Sequence, residues 1–490
     1  MSRQQLSPES TSSRPLGNLE LFFKTLSDAG RPLNREHWTI HAALQLRFQS
    51  SLVDPIPLLR RSWEILRYQY PALGATITHD KRESTHGRPH LKAETSNAHT
   101  WINDTFIVSH DCDSASSLFS TLLSTATATC YWIPRSSEFV IRSSHWRIDG
   151  VGMAFLCHDF MKALGWVIRQ GLETPVEDCT ALFNKPPSIA PNLELLAHAQ
   201  SQLAPVAVDT ESPVLAAGAD ALVAEFLRGI PSIGLPTIAD SSGAIPCASS
   251  RVGTRLSREL TTRFTAACRG KSIKVSSAVH AAIVCVTAGF PQDPRCKSYA
   301  AFAPVDLRRS LETTATTETS DIPKVVGLYF SGLPVRVDEV AGKDFDTISR
   351  GLNSTYSRDL LEFWGPADGQ GRKVSLLDLA EPYVRRTTAL FNAPISNDLP
   401  PVQTPDLSSL GKLESFLQTN YENITGENLE VANFWIGTEM LNRCVQFHTW
   451  SWKGEFNLGA SFNQSFYEKQ FVVDVLEKVV HKLLKGCDVE

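Results

Sequence analysis

A histidine and an aspartate stand four positions apart in residues 143–152, which read SSHWRIDGVG. A neutral imidazole can accept a proton from a hydroxyl group, since its ordinary pKa of about 6.5 leaves it mostly uncharged at cell pH. His145 is therefore a candidate general base. Asp149 either contacts the imidazole or turns away and braces the loop, and the spacing does not decide between these roles. The alternative interpretation is a core histidine followed by an aspartate that caps the next helix.

The elements around this motif are predicted to be a strand and a buried helix. The run EFVIR precedes the motif, so His145 is expected to emerge at the end of a strand. The residues after Gly150, VGMAFLCHDFMKALGWVI, are apolar nearly all round, which is typical of a buried helix. A glycine at the start of that helix suits a sharp turn or the close approach of other groups. The motif alone leaves the functional and the structural interpretation open.

Other chemistries find little support in the sequence. His86, His90 and Glu94 have the spacing of zinc ligands on a helix, but Gly87 and Pro89 oppose a helix there. We therefore predict a polar surface loop and no metal site. Neither GxGxxG nor GxxxxGK[ST] follows a predicted strand, and GxSxG is missing. These absences argue against a phosphate-binding loop and against a serine hydrolase.

Composition limits the class of protein and its partners. The chain has 490 residues, of which 42% are hydrophobic and 20% charged, so we expect two globular domains. The net charge of -5 offers no basic surplus for nucleic acid. No apolar run reaches the roughly 18 residues of a membrane span, and ten cysteines without a CxxC pair suit reduced thiols. We predict a cytoplasmic protein without a membrane span.

Shifts in pattern along the chain divide it into four parts. Residues 1–17 are polar and are predicted to be a disordered tail. Residues 18–190 alternate between strand and helix patterns and carry the motif, so they form a first domain. Residues 191–250 are rich in Pro, Ser, Gly and Ala and are predicted to be a crossover linker. Residues 251–490 resume regular patterns and form a second domain, which gives an α/β architecture.

The motif and four later segments resemble one family. HxxxDG between a strand and an apolar helix is similar to the acyltransferase superfamily that includes BAHD acyltransferases, chloramphenicol acetyltransferase and peptide-synthetase condensation domains. The later segments SSAVHAAIVCVTA, APVDLRRSL, VVGLYFSGLPVRV and FNLGASFNQSFYEKQFVVDVLEKVVHKLL resemble this family in the same order. The NFWIG stretch and the residues after it look most like fungal O-acetyltransferases of the trichothecene 15-O-acetyltransferase type. Asn433 there departs from the aspartate of the plant DFGWG motif.

The resemblance implies a fold and a set of roles. The fold would be two chloramphenicol acetyltransferase-like domains, each a mixed sheet flanked by helices, with an active-site channel between them. His145 would be the catalytic base at the middle of the channel. In the family the motif aspartate points away and pairs with an arginine, and Arg308 of VDLRR matches that arginine. Asp149, Gly150 and Arg308 would thus be structural residues at the active site.

The implied reaction is direct acyl transfer, without an acyl-enzyme, from acyl-CoA to a hydroxyl of a fungal secondary metabolite. The acyl group would be acetyl, acyl-CoA would be a co-substrate rather than a bound cofactor, and the enzyme would act as a monomer. The partners would be acyl-CoA and a small-molecule alcohol. Two alternatives remain on the same fold: a condensation-type enzyme that forms an amide or releases a carrier-bound acyl chain, and a catalytically silent protein.

Overall fold

A computed structural model of the chain describes residues 13–48, 54–79, 88–93, 98–183, 185–200, 211–238, 241–311, 324–365, 373–394, 398–422 and 428–489. Up to residue 227 its elements are β1 (Ser13–Pro15), α1 (Asn18–Asp28), β2 (Ile40–Arg47), α2 (Ile56–Gln69), β3 (Thr76–Thr78), β4 (His90–Lys92), α3 (Ala98–Thr105), β5 (Phe106–Val108), α4 (Ala115–Phe119), β6 (Thr129–Ile133), β7 (Glu138–Ser143), α5 (Gly150–Gln170), α6 (Thr180–Phe183), α7 (Leu193–Gln200) and α8 (Pro213–Leu227).

The later elements begin at residue 249. They are β8 (Ser249–Leu256), α9 (Arg258–Gly270), α10 (Val275–Ala288), β9 (Tyr299–Asp306), β10 (Phe330–Val337), α11 (Phe345–Tyr356), α12 (Leu376–Asn392), β11 (Asp406–Lys412), β12 (Asn420–Glu422), β13 (Asn428–Thr438), β14 (Gln446–Trp452), β15 (Glu455–Asn463) and α13 (Lys469–Gly486).

Two larger sheets organise these elements. The first has six strands in the order β12-β13-β2-β7-β6-β5, and the second has four in the order β11-β14-β15-β8. Helices α2 and α5 contribute to the core of the first sheet, and α10 and α13 to the core of the second. Strands β9 and β10 pair separately as an antiparallel ribbon. The predicted α/β class, with mixed sheets flanked by helices, is confirmed.

The first sheet also takes strands from the far end of the chain. Strand β13 pairs antiparallel with β2 and places Phe434 opposite Leu44. Its apolar residues then join the core of the first half, where Val431 and Phe434 are buried. The predicted division at residue 251 is therefore incomplete, because β12 (Asn420–Glu422) and β13 (Asn428–Thr438) complete the sheet assigned to residues 18–190.

Helix α5 follows the motif and fills the core of the first half. Its length and composition would suit a membrane span, but 67% of its apolar window is buried inside the protein. Phe160 on this helix stacks on Phe139 of β7, with ring centroids 4.0 Å apart. The apolar character all round the helix thus reflects burial between the sheet and neighbouring helices.

The predicted disordered tail is wrong for residues 13–17. Strand β1 pairs antiparallel with β4, and Leu16 is fully buried. Arg14 forms an ion pair with Glu20 on α1 and donates a hydrogen bond to the carbonyl of Ala190. These contacts order the segment despite its polar composition. Residues 1–12 lie outside the described residues.

The predicted crossover linker contains two helices. Within residues 191–250, α7 and α8 are regular helices, and α8 packs against α12. Ala219 and Leu222 of α8 are buried in that contact region. Pro213 occupies the first turn of α8, where a proline needs no hydrogen-bond partner. The proline marked the start of a helix and not a flexible connection.

Candidate active site

The end of strand β7 places His145 on the wall of a cavity. The strand ends at Ser143, and the chain then turns, with the Arg147 amide donating to the Ser144 carbonyl at 3.0 Å. Helix α5 begins at Gly150. The cavity measures about 290 Å³ and is lined by residues from both halves of the chain, His145 among them. The imidazole is therefore not enclosed within one half.

Aromatic rings surround the imidazole of His145. The ring of Phe23 stacks on it with centroids 4.3 Å apart and planes 13° apart, and Phe330 approaches to 5.5 Å. This burial disfavours the charged form and lowers the pKa of His145 to about 4, although its own backbone carbonyl and Asp149 oppose the shift. Nδ1 is buried and has no partner other than the carbonyl of His145 itself. The imidazole is thus neutral at cell pH and can accept a proton.

Asp149 caps helix α5 and also binds Arg308. Its Oδ1 accepts a hydrogen bond from the Gly152 amide at 2.6 Å, and its Oδ2 accepts one from the Tyr329 amide at 2.7 Å. The Arg308 guanidinium donates to both oxygens, at 3.0 and 3.1 Å. Arg308 is fully buried and also pairs with Asp306. The structure thus brings Asp149 and Arg308 together, and the carboxylate is occupied by partners other than His145.

Close packing explains the glycines at the start of α5. A Cβ on Gly150 would lie 3.1 Å from Cδ2 of Leu410, which is tight contact. A Cβ on Gly152 would lie 2.8 Å from the Gly327 carbonyl oxygen and 3.1 Å from Nη2 of Arg308. A side chain is therefore excluded more strictly at Gly152 than at Gly150. Gly152 was not identified in the sequence analysis.

Replacing Gly152 with alanine is expected to destabilise the protein by about 1–3 kcal/mol, because the methyl group would meet backbone. The matched control is Gly165→Ala on the same helix, where a Cβ would meet nothing within 4 Å. That variant should be neutral or more stable by up to about 1 kcal/mol, since alanine favours helix. Denaturant unfolding of both variants checks this. A Gly152→Ala protein as stable as the wild type would contradict the proposed packing.

The cavity has an aromatic wall and a polar wall. Six phenylalanines form the aromatic wall, and they come from distant parts of the chain: Phe22, Phe23, Phe226, Phe302, Phe330 and Phe391. The polar wall consists of one face of the second sheet and the end of β13 in the first sheet. Its residues are Asp406, Ser408, Gln446 and His448 from the second sheet and Thr438 from β13. A ligand in this cavity would pack its apolar skeleton on one side and make hydrogen bonds on the other.

Two further residues of the cavity wall were missed by sequence reasoning. Trp38 adopts φ 63°, a conformation that costs a non-glycine residue about 1–3 kcal/mol and persists only where its surroundings enforce it. His448 is neutral, because burial together with Arg251 and His145 lowers its pKa to about 3. Its position in the alternating run HTWSW marks a strand but gives no sign of a cavity. Only tertiary packing brings these side chains to His145.

The structure describes only part of the segment for which we predicted a polar surface loop and no metal site. His90 begins strand β4, while His86 and Glu94 lie outside the described residues. Among the residues that the structure describes, no group of three His, Cys, Asp or Glu side chains could hold a metal ion.

Comparison with known proteins relates the whole chain to one family. The loline biosynthesis cluster 1 transcription factor lolU1 of Epichloe uncinata is 30% identical over 98% of this chain and 95% of its own length. Acetyltransferase pigO of Monascus ruber is 25% identical over 96% of this chain and 95% of its own. The TRI3 trichothecene 15-O-acetyltransferase of Fusarium sporotrichioides superposes with a TM-score of 0.73 at 15% identity, over 97% of this chain and 95% of its own. The chain belongs to the chloramphenicol acetyltransferase-like acyltransferases.

Membership of this acyltransferase family confirms the resemblance described above. No family model matches the chain, so the relationship depends on the full-length relatives and on the shared fold. The cavity of this protein lies where the two halves of the chain meet.

Proposed function

We propose that this protein is an acetyl-CoA-dependent O-acetyltransferase acting on a hydroxyl group of a fungal secondary metabolite. The observation that carries the proposal is the imidazole of His145, which lies on the wall of a cavity formed by both halves of the chain. The acetyltransferase names of pigO and TRI3 support the choice of acyl group. The acceptor would be a small alcohol, because a cavity of about 290 Å³ lies near the lower end for ligand sites.

The proposed mechanism uses His145 as the only base. Because Nδ1 is buried, Nε2 accepts the hydroxyl proton while the oxygen attacks the thioester carbonyl. The C–S bond then breaks, and the departing thiolate of CoA takes the proton back from Nε2. Asp149 and Arg308 do not exchange protons in this scheme. They hold the start of helix α5, and with it the turn that carries His145.

No acyl-enzyme is needed for this reaction. Cys444 lines the cavity, but burial raises its pKa well above the ordinary value for a thiol. A nucleophilic cysteine needs the opposite shift, toward thiolate at cell pH. All ten cysteines are free. The geometry therefore favours direct transfer between two bound substrates.

The name of lolU1 raises a different function, the regulation of transcription. Binding to nucleic acid draws most of its affinity from Lys and Arg on phosphates, and this chain has a net charge of -5. The condensation-type alternative differs in its donor or in the attacking atom. A comparison of donors tests the first difference, and the identification of an ester or an amide in the product tests the second.

The test is transfer by the purified full chain. Acetyl-CoA and acetyl-loaded acyl carrier protein are offered separately with an extract of hydroxylated fungal metabolites. Thiol release and mass spectrometry are expected to show a product heavier by one acetyl group with acetyl-CoA alone. Product from the carrier alone would favour the condensation-type alternative. The absence of product with either donor would contradict the proposal and favour a catalytically silent protein.

We further propose that acyl-CoA and the alcohol are the only partners and that the enzyme acts as a cytoplasmic monomer. Acyl-CoA enters as a co-substrate and leaves as CoA, so no resident cofactor takes part. Gel filtration with light scattering tests the monomer directly.

A further inference from the structure

Asp406 is the one carboxyl side chain among the five described residues of the polar wall, and neighbouring strands fix its position. It begins β11, which runs parallel to β14, and it lies beside Gln446. The hydroxyl of Thr438 donates a hydrogen bond to Oε1 of Gln446. Since that oxygen is occupied, the amide nitrogen of Gln446 is the end left to face Asp406. The carboxyl group is therefore oriented by its neighbours before any ligand binds.

A buried hydrogen-bond chain also fixes the backbone at this point. The Tyr299 hydroxyl donates to the carbonyl of Pro405 at 2.7 Å, and it lies 2.6 Å from Nε2 of His280. Nδ1 of His280 in turn lies 2.8 Å from the Tyr356 hydroxyl. The Asp406 amide donates to the Val445 carbonyl. Asp406 is thus held on a rigid part of the second half of the chain, as a binding group should be.

The carboxyl group itself lacks the partners that a buried acid needs. Its Oδ1 is buried without a hydrogen-bond partner, and no Lys or Arg of the described chain shifts its pKa. Burial raises that pKa to about 7, and the Gln446 hydrogen bond opposes the shift only in part. Asp149, on the same cavity, shows the contrast, because Arg308 and two backbone amides satisfy it. An unsatisfied buried carboxyl is costly and calls for an explanation.

We propose that Asp406 recognises the acceptor by accepting a hydrogen bond from a second polar group, an N–H or O–H distinct from the hydroxyl that is acetylated. This inference deepens the proposed function and rests on it. The acceptor class is then a diol or an amino alcohol on an apolar, ring-bearing skeleton. The six phenylalanines hold the skeleton, and Asp406 fixes its orientation, so that one hydroxyl lies at His145.

A binding experiment without acetyl-CoA tests this step independently of transfer. Three probes share one skeleton: 2-phenylethanol, 1-phenyl-1,2-ethanediol and 2-amino-2-phenylethanol. Calorimetry of the purified full chain is expected to show that at least one of the two substituted probes binds at least about tenfold more tightly than 2-phenylethanol. If the protein prefers the amino alcohol alone, the second group of the acceptor is an ammonium group. If it prefers both substituted probes, any N–H or O–H donor can serve as that second group.

Two variants assign the preference to Asp406. Asp406→Leu should lose it while binding 2-phenylethanol within about twofold of the wild type. It should stay folded, with a change in stability of no more than about 1–3 kcal/mol, because it leaves the Gln446 amide without its acceptor but strands no charged partner. Asp406→Asn should lose any preference for the ammonium group. Asp474→Asn, the same change on an exposed part of α13, is the matched control and should behave as the wild type.

Three results would overturn the inference. They are a wild type without a preference for either substituted probe, a preference that survives in Asp406→Leu, and an equal loss of affinity for all three probes in that variant. The last would mean that Asp406 shapes the cavity and does not read the second group. Because none of these measurements involves transfer, they stay separate from failure of the proposed function, which would appear as an absence of acetylated product.

Discussion

Replacing His145 with alanine is expected to lower acetyl transfer by about 10²–10⁴-fold, because no other base is proposed to accept the hydroxyl proton. The ring also stacks on Phe23, so the alanine variant should lose about 1 kcal/mol of stability as well. His145→Phe separates the two effects, since it keeps an aromatic ring and removes the base. Both variants should fold, and both should be inactive, as measured by thiol release from acetyl-CoA.

The control for this pair is His110→Ala, because His110 is exposed and lies outside the cavity. It should keep wild-type activity. Residual activity of His145→Phe above a tenth of the wild type would remove His145 from the chemistry. A circular dichroism spectrum and a melting curve for each variant ensure that loss of activity is not loss of fold.

The pH dependence of the wild-type enzyme is a second test of the role of His145. A histidine with the ordinary pKa would be only about 3% neutral at pH 5, whereas one with a pKa of about 4 stays roughly 90% neutral there. We therefore expect kcat, measured with both substrates saturating, to hold nearly level from pH 7.5 to pH 5 and to fall only below that. The value of kcat/KM for the acceptor also responds to Asp406, because burial raises the pKa of that carboxyl to about 7. A decline centred near pH 6.5 would show that the base is not buried as the structure has it.

Local rules were enough to predict the segment that carries His145. The strand end, the capping aspartate and the apolar helix lie within about 30 consecutive residues, and each follows from propensity, capping or periodicity. The pairing of Asp149 with Arg308 is different in kind, since 159 positions separate the two residues. Only the family resemblance suggested that pair, and nothing in the spacing could have supplied it.

Composition misled the prediction of residues 191–250. Ser212 and Pro213 with the alanine-rich run after them suit the start and body of a helix. In the sequence analysis the same residues contributed to the high content of Pro, Ser and Ala that predicted a linker. Strand β13 posed another problem, because an alternating pattern marks a strand without naming the sheet that it joins. The partner of β13 is β2, nearly 400 positions earlier, and only the closed core determines that pairing.

Replacing Asp149 with alanine is expected to lower the free energy of unfolding by about 3–5 kcal/mol. The yield of soluble protein should fall as well. The change removes one partner of the fully buried Arg308, the cap of helix α5 and the acceptor of the Tyr329 amide. Losing a cap alone costs about 1 kcal/mol. Asp306 keeps a contact with Arg308, which prevents a larger loss. Denaturant unfolding measures the difference from the wild type.

Glu362→Ala is the control for that change, since it removes a carboxylate from an exposed ion pair with Lys373. It should shift stability by less than about 1 kcal/mol. Asp149→Asn should fall between the two, because the amide oxygen can still cap the helix but carries no charge for Arg308. If Asp149→Ala unfolded like the wild type and yet failed to transfer acetyl groups, Asp149 would belong to the reaction itself. If it lost stability and activity together, its role would be to hold α5, and through it His145, against the second half of the chain.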